Sequence, residues 1–315
     1  MTEKDPSWER QTLEKLAFAA LTEQRRARYW GIFFKLLTFA YVTFILVMAL
    51  DWRGEDGITG GSKHTALVNL EGVIEAKGDA SAERISGALQ SAFEDKNTQG
   101  VIMRINSPGG SPVQSGIIND EIRRLRTQFP NIPFYVVIED ICASGGYYVA
   151  AAADKIYVNK ASLVGSIGVL MNGFGFTGVM DKLGVERRLI TAGENKGFLD
   201  PFSPVEARQK EFAQGMINEI HQQFIAVVKQ GRGKRLKDNP DTFSGLIWTG
   251  QHSIEMGLAD DYGTVDSVAR DVIKAKDIVD YTQKANIAER FAKRFGAGVA
   301  QGLTGFSMSE RFSLR

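Results

Sequence analysis

Between Gly31 and Leu50 the chain reads GIFFKLLTFAYVTFILVMAL, twenty residues with a single charge. As a helix rising ~1.5 Å per residue, such a stretch spans about 30 Å, the hydrocarbon thickness of a bilayer. Lys35, the one charge, sits a turn from the start, where its stem can carry the ammonium back to the headgroups. Soluble core helices seldom run this long without polar residues, so the segment predicts a transmembrane span. A cleaved signal peptide would have a shorter apolar core, a short basic leader and a small-residue exit. Here thirty residues precede the segment and Met48-Ala49-Leu50-Asp51 closes it, which predicts an uncleaved signal anchor. Arg25, Arg26 and Arg28 flank its N-terminal side, whereas only Arg53 and Lys63 lie within twenty residues beyond it. The positive-inside rule then places residues 1–30 in the cytoplasm and the bulk of the chain on the other side.

Ahead of the span, Leu13, Leu16, Ala17, Ala20 and Leu21 fall at helical spacing before the arginines, as either an interfacial helix on anionic lipid or a solvated tail would have them. After it, residues 51–65 read as a linker, with four glycines between Gly54 and Ser62. Across the 315 residues, 38 basic side chains balance 37 acidic ones, which argues against a nucleic-acid partner. A 43% hydrophobic content excludes a disordered chain. The single cysteine, Cys142, forms no internal disulfide, and no Cys/His spacing resembles a zinc site. Neither a metal nor a cofactor is expected.

From residue 66 onward, strand-length apolar runs alternate with helical patterns. Residues 66–74 predict a strand, and Ile85, Ala88, Leu89, Ala92 and Phe93 then mark one face of a helix. Strands at 101–105, 134–138 and 155–158 follow, with a helix marked by Ile118, Ile122, Leu125 and Phe129 between the first two, and a strand-like run covers 187–191. Strands separated by helices imply parallel crossovers. A long helix is predicted to open at Ser203-Pro204-Val205-Glu206 with a capping box, and Phe212, Met216, Ile220 and Phe224 give it an apolar stripe that fits a core or a protomer interface. The expected organisation is one α/β domain over 66–280, with largely parallel sheets and flanking helices, preceded by one transmembrane helix at 31–50 and followed by a tail at 281–315.

Three glycine-bearing turns could hold chemistry. Asn106-Ser107-Pro108-Gly109-Gly110 follows a strand, and its adjacent glycines let backbone N–H groups meet an anion with no Cβ in the way. In Ala143-Ser144-Gly145-Gly146-Tyr147-Tyr148, a serine at a strand-to-helix turn has its hydroxyl exposed and the next N–H nearby. A serine in such company more often caps a helix than attacks a substrate. A nucleophile also needs a base, and none of His64, His221 and His252 is placed by sequence to serve. A lysine can serve if burial lowers its pKa from ~10.4 toward 7, at a cost on the order of 4 kcal/mol to the fold. Lys196, in Ala192-Gly193-Glu194-Asn195-Lys196-Gly197, is one candidate. Spacing alone does not separate it from Lys155, Lys160 or Lys182.

In order, the segments N-S-P-G-G (106–110), A-S-G-G-Y-Y (143–148), V-G-S-I-G-V (164–169), the Lys196 turn before an S-P helix, and W-T-G-Q-H-S-I-E-M-G-L-A-D (248–260) resemble the bacterial signal peptide peptidase A family of membrane-anchored Ser/Lys proteases, in its short single-repeat form. The likeness covers residues 66 to about 275, with Ser253 standing where alanine is usual. It implies a fold related to crotonase and the Clp proteolytic subunit, with Ser144 as nucleophile, Lys196 as general base and Ser166 orienting the lysine. The N–H groups of Gly110 (or Gly109) and Gly145 would form the oxyanion hole. It also implies a ring-shaped homo-oligomer in which a neighbour can donate the lysine, and residence in the bacterial cytoplasmic (inner) membrane with the catalytic domain periplasmic. The expected substrates are hydrophobic peptides, chiefly residual signal peptides, with misfolded extracytoplasmic proteins a further class. A Clp-type Ser/His/Asp site is disfavoured because no histidine lies between His64 and His221. A crotonase-like acyl-CoA enzyme would be soluble and would not need the serine. A non-catalytic membrane scaffold would keep the fold and lack the dyad.

Overall fold

The computed structural model describes residues 6–55, 62–237 and 239–283, in two compact units divided at Thr59/Gly60. The first unit is a single helix, α1 (Pro6–Glu55), of 50 residues. Its stretch Arg10–Val47 is long and apolar enough to cross a membrane, and none of its most apolar window is covered by protein. Thr38 and Thr43 lie within the apolar run, and their hydroxyls donate to the carbonyls of Phe34 and Phe39, one turn back, at 2.8 Å each. Polar side chains tucked against their own helix in this way suit a non-aqueous surrounding. The helix continues unbroken through the expected boundary at residue 30. It also takes in the start of the predicted linker, whose residues 56–61 lie outside the described residues.

The second unit is built on one sheet. Its elements, in chain order, are β1 (His64–Glu71), α2 (Ala82–Glu94), β2 (Thr98–Ser107), α3 (Pro112–Gln128), β3 (Phe134–Ala143), α4 (Gly145–Ala150), β4 (Lys155–Val158), β5 (Leu163–Gly165), α5 (Thr177–Leu183), α6 (Ala207–Arg232), β6 (Ile247–Thr249), α7 (Gly250–Glu255), β7 (Asp261–Tyr262), α8 (Val265–Ser267) and β8 (Ile278–Asp280). The strand order is β6-β5-β3-β2-β1-β8. All pairings between these strands are parallel except that of β5 with β6.

The central strands are buried on both faces, as parallel strands under helices must be. Ala66, Val68, Leu70, Val101, Met103, Ile105, Phe134, Val136 and Ile138 face a core shared with α2, α3 and α4. Leu67, Ile102 and Val137, at the alternate positions, pack with Tyr157, Val268 and Ala269 on the other side. The predicted face of α2 (Ile85, Ala88, Leu89, Ala92 and Phe93) is buried in full.

β3 forks. Its first half, Tyr135–Val137, pairs with β4, and its second half, Ile141–Ala143, pairs with β5. Between the two, Glu139 and Asp140 are exposed. The strand is therefore longer than the apolar run 134–138 predicted, because the acidic pair that ends that run sits where the partner changes.

Two local expectations are corrected. Residues 187–191 form no strand, and their side chains are exposed rather than paired in the sheet. The capping box at Ser203 does not form. α6 starts at Ala207 with Glu206 as N-cap, and the Ser203 hydroxyl instead donates to Asp200 Oδ2 at 2.7 Å. The predicted stripe on α6 grades from exposed Phe212 to buried Phe224.

Candidate active site

Ser144 stands between β3 and α4 with φ 50° and ψ −122°, a backbone conformation costly for any residue with a Cβ. Its N–H donates to the Gly165 carbonyl at 2.8 Å, and its own carbonyl accepts from Tyr148 N at 3.0 Å. The fork in β3 makes this possible, since the second branch brings β5 and Gly165 alongside Ala143. Gly165 has φ +116°, and a Cβ there would lie 2.9 Å from the Leu246 carbonyl oxygen. Ser166 follows with φ 51°, and its N–H donates to that same Leu246 carbonyl at 2.7 Å.

The 106–110 turn closes over Ser144. Gly110, at φ +150°, is packed so tightly that a Cβ would lie 2.2 Å from the Ile74 carbonyl oxygen. Ile74 N donates to the Gly109 carbonyl and Ser111 N to the Ile74 carbonyl, both at 2.8 Å, which clamps the turn from either side. The Gly109 N–H is committed to Ser107 Oγ at 3.1 Å. Among the described residues, by contrast, the N–H groups of Gly110 and Gly145 donate to nothing. These two amides are close neighbours, since a Cβ built on Gly145 would lie 3.2 Å from Gly110 N. Two unspent N–H groups beside a half-buried hydroxyl on a cleft wall are what an oxyanion hole requires.

The hydroxyl opens into a cleft of about 540 Å³ whose lining includes Ser144, Ser166, Gly110, Gly145 and Ser115, with Tyr148, Val169, Leu170, Ile220 and Phe224 as apolar wall. Sequence reasoning missed Ser115, which is fully buried behind Gly145 with its hydroxyl donating to the Ser111 carbonyl at 3.0 Å. His221, which the sequence set aside as a base, donates its Nε2–H to the Ile167 carbonyl at 3.2 Å and so braces the Ser166 turn from α6. Neither residue belongs to a motif that marks it, because both act by packing across chain-distant elements.

Lys196 is not brought to the cleft within one chain. Its backbone N–H closes a turn onto the Gly193 carbonyl at 3.1 Å, and its side chain is exposed. No residue from Leu170 to Val205 is buried, and most are exposed, although the stretch is rich in large apolar residues: Leu170 is 82% exposed, Phe174 76% and Ile190 95%. Among the described residues, no group of three His, Cys, Asp or Glu side chains is arranged to hold a metal ion.

The Trp248–Asp260 motif is structural. The Asp260 carboxylate accepts from Ile156 N at 2.7 Å, from both terminal nitrogens of the buried Arg232 at 2.8 and 2.9 Å, and from Arg235 at 3.3 Å. Burial alone would raise its pKa, but these donors and charges outweigh burial and hold it below the usual carboxylate range. Behind Ser144, burial pushes up the pKa values of the Cys142 thiol and of the Tyr147 hydroxyl, which donates to the Leu258 carbonyl at 2.7 Å.

Comparison with known proteins bears on these features. Residues 127–279 match the model of peptidase family S49. The chain is 45% identical over 209 residues to a protein of Brucella abortus named Na(+)/H(+) antiporter NhaA, covering 65% of this chain and 28% of that protein. It thus spans little more than a quarter of that relative's length. It is 29% identical over 228 residues to Protease 4 of Haemophilus influenzae, covering 71% of this chain and 36% of the relative. A candidate protease of Methanocaldococcus jannaschii is 30% identical over 285 residues, 88% of each chain. Strands under flanking helices, a glycine turn closed over a strained serine, and similarity along nearly the whole of the archaeal relative converge on one assignment: the chain belongs to peptidase family S49, with its crotonase- and ClpP-like fold.

Proposed function

We propose that this chain is a membrane-anchored serine endopeptidase with Ser144 as nucleophile and Lys196, reaching in from a second copy of the chain, as general base. The observation that carries the reading is the pairing of the strained Ser144 turn with the two unspent N–H groups of Gly110 and Gly145. A serine held at an unfavourable φ is maintained only where the surroundings fix it, and the usual gain is an aimed hydroxyl. Ser144 Oγ would attack a peptide carbonyl placed in the cleft, while the two N–H groups take up the charge forming on its oxygen. The uncharged lysine amine would accept the serine proton and return it to the leaving amine, after which water would release the acyl group. Ser166, on the cleft wall and bound to the same backbone ladder as Ser144, would hold the amine in line.

The exposed apolar stretch carrying Lys196 supports pairing between copies. Large uncovered apolar surfaces mark association sites, and ring closure would both cover this one and deliver the lysine. The apolar cleft wall favours hydrophobic peptides, of which signal peptides left in the membrane after secretion are the natural class, with misfolded extracytoplasmic proteins second. α1 would anchor the enzyme in the cytoplasmic membrane, with residues 1–30 cytoplasmic and the peptidase domain outside.

Labelling with a serine-directed fluorophosphonate tests the assignment. Adduct should form at Ser144, vanish in Ser144→Ala and fall steeply in Lys196→Ala. Mixing Ser144→Ala and Lys196→Ala chains before assembly should restore peptide hydrolysis, since a mixed ring holds intact pairs. Undiminished labelling in Lys196→Ala would move the base to Lys155, Lys160 or Lys182. No labelling at all would leave a non-catalytic scaffold of the same fold.

A further inference from the structure

The end of α4 opposite Ser144 borders a second cavity, of about 270 Å³, walled by Arg123 and Arg126 of α3, by Arg235 just beyond α6, by Asp154 and by the chain leaving α4. Three guanidinium groups and the Asp154 carboxylate line it, and behind them Asp260 is shared between Arg235 and the buried Arg232, so four guanidinium groups stand against two carboxylates, an excess of two positive charges. The Asp154 carboxylate is already occupied. Asp154 Oδ1 accepts from Arg126, and Oδ2 accepts from Phe134 N at 2.9 Å. Arg235 is occupied as well, donating to the carbonyls of Gly231, Arg232 and Asp154 at 2.6, 3.1 and 2.5 Å and to Asp260 Oδ1 at 3.3 Å.

Arg123 is different. Its Nε donates to Asn119 Oδ1 at 2.8 Å, and its Nη2 has no hydrogen-bond partner among the described residues. Because Nη2 is shielded from solvent, it meets a ligand in the cavity only once the guanidinium turns toward it. A buried donor left unmatched costs about 1–3 kcal/mol, and more when it is charged. Arg126 retains unspent N–H groups too, since only its two terminal nitrogens are engaged, with the Ala152 carbonyl and Asp154. Burial, together with the like charges of Arg123 and Arg235, lowers the Arg126 pKa, the signature of a cation cluster short of a counterion.

We propose that this cavity binds a small tetrahedral oxyanion of two negative charges, phosphate or a phosphomonoester, held between the guanidinium groups of Arg126 and Arg123, the latter turning its unmatched Nη2 onto the ligand. The planar forks of arginine match oxyanions in paired hydrogen bonds, and a charge of −2 cancels the excess. The volume lies just below the range of ordinary small-molecule pockets, room for a phosphomonoester or for phosphate with water beside it. Such a ligand would tie α3 to the ends of α4 and α6. A Cβ on Gly231 would lie 1.9 Å from the Ala151 carbonyl oxygen, so α6 rests directly on the chain leaving α4. α4 presents the Gly145 N–H at its other end, and α6 lines the cleft through Ile220 and Phe224. The bound anion would thus stiffen the scaffold beneath the candidate active site.

The test is calorimetric titration of inorganic phosphate into the full chain in a non-ionic detergent, against chloride at matched ionic strength. It reads binding and not turnover, so its outcome is independent of the peptidase proposal. Saturable binding is expected at one site per chain. Arg123→Gln should weaken it about tenfold or more, the loss of one charge-assisted contact, Arg123→Lys should weaken it less, and Arg270→Gln, at an exposed position, should leave it unchanged. Bilayer discs containing phosphatidic acid, compared with phosphatidylcholine discs, separate the sources. Competition by the former assigns the site to a lipid headgroup, and its absence assigns it to a soluble phosphate. Phosphate heats no greater than those of chloride, or equal affinity in Arg123→Gln and the parent, overturn the proposal. Arg123→Lys decides the matter if Arg123→Gln does not fold.

Discussion

The backbone N–H of Ser144 donates to the carbonyl of Gly165 at 2.8 Å, so the single peptide unit between Gly165 and Ser166 accepts from the candidate nucleophile on one side and donates to the Leu246 carbonyl on the other. Both serines have positive φ, 50° and 51°. Strain of this kind at two points of one short ladder is concentrated where the chemistry is proposed, and the surrounding parallel sheet is what sustains it.

Replacing Ser144 by glycine separates strain from chemistry. Glycine adopts this backbone region without penalty, so Ser144→Gly should lose fluorophosphonate labelling completely yet resist denaturation better than the parent by about 1 kcal/mol. Parallel urea melts check it. A less stable glycine variant would mean that the serine hydroxyl contributes more to the fold than its backbone costs.

Gly145 and Ser115 should behave as a compensating pair. A Cβ at 145 would lie 2.4 Å from Ser115 Oγ but 3.5 Å from Ser115 Cβ. Gly145→Ala should therefore displace the loop and lower kcat about 10²-fold, the scale of losing one oxyanion donor. Gly145→Ala/Ser115→Ala should recover part of that loss. Recovery is incomplete because the added methyl still crowds Gly110 N at 3.2 Å.

Asp260 ties acid stability to the Arg232 pair. Its carboxyl is depressed in the folded chain, so its stabilising contribution is complete above the unfolded value of ~3.9 and drains away as pH falls through the lower folded value. Asp260→Asn should remove that part of the acid dependence. It should also cost about 3 kcal/mol at neutral pH, because the buried Arg232 loses its counter-charge. Chemical denaturation of the two proteins at several pH values measures both effects.

Ile190→Asp tests whether copies of the chain cover the exposed apolar stretch. At 95% exposure Ile190 contributes little to the packing of its own chain. The variant should keep the parent's melting behaviour while its mass by light scattering drops toward that of a single chain, and hydrolysis should fall with it. Unchanged mass would place the assembly surface elsewhere.

Cys142 should resist alkylation in the native chain. Its thiol is fully buried with its pKa raised, so the reactive thiolate is scarce and sealed off. Iodoacetamide should modify it only after denaturation, as mass spectrometry would record.

Much of the domain was legible in the sequence because its signals are local. The periodic burial of Ile85 through Phe93 and the serine turn at 143–148 each depend on a dozen residues or fewer. What escaped depends on distant partners. Nothing around Glu139 and Asp140 announces a change of strand partner, since that is decided by β5 more than twenty residues on. The Ser203 cap failed because Asp200, three residues earlier, captured the hydroxyl first. Residues 187–191 have the composition of a strand but stand exposed, paired with none of the described strands. For Lys196, a single chain does not contain the surroundings that a base would need.

A strand that answers to two masters divides its labour. The half of β3 that runs beside β4 is locked among aliphatic side chains on both faces, whereas the half beside β5 leans on two three-residue segments at the rim of the sheet. Loosening that rim would release the serine ladder while leaving the aliphatic interior intact, so the two halves of one strand differ in what holds them.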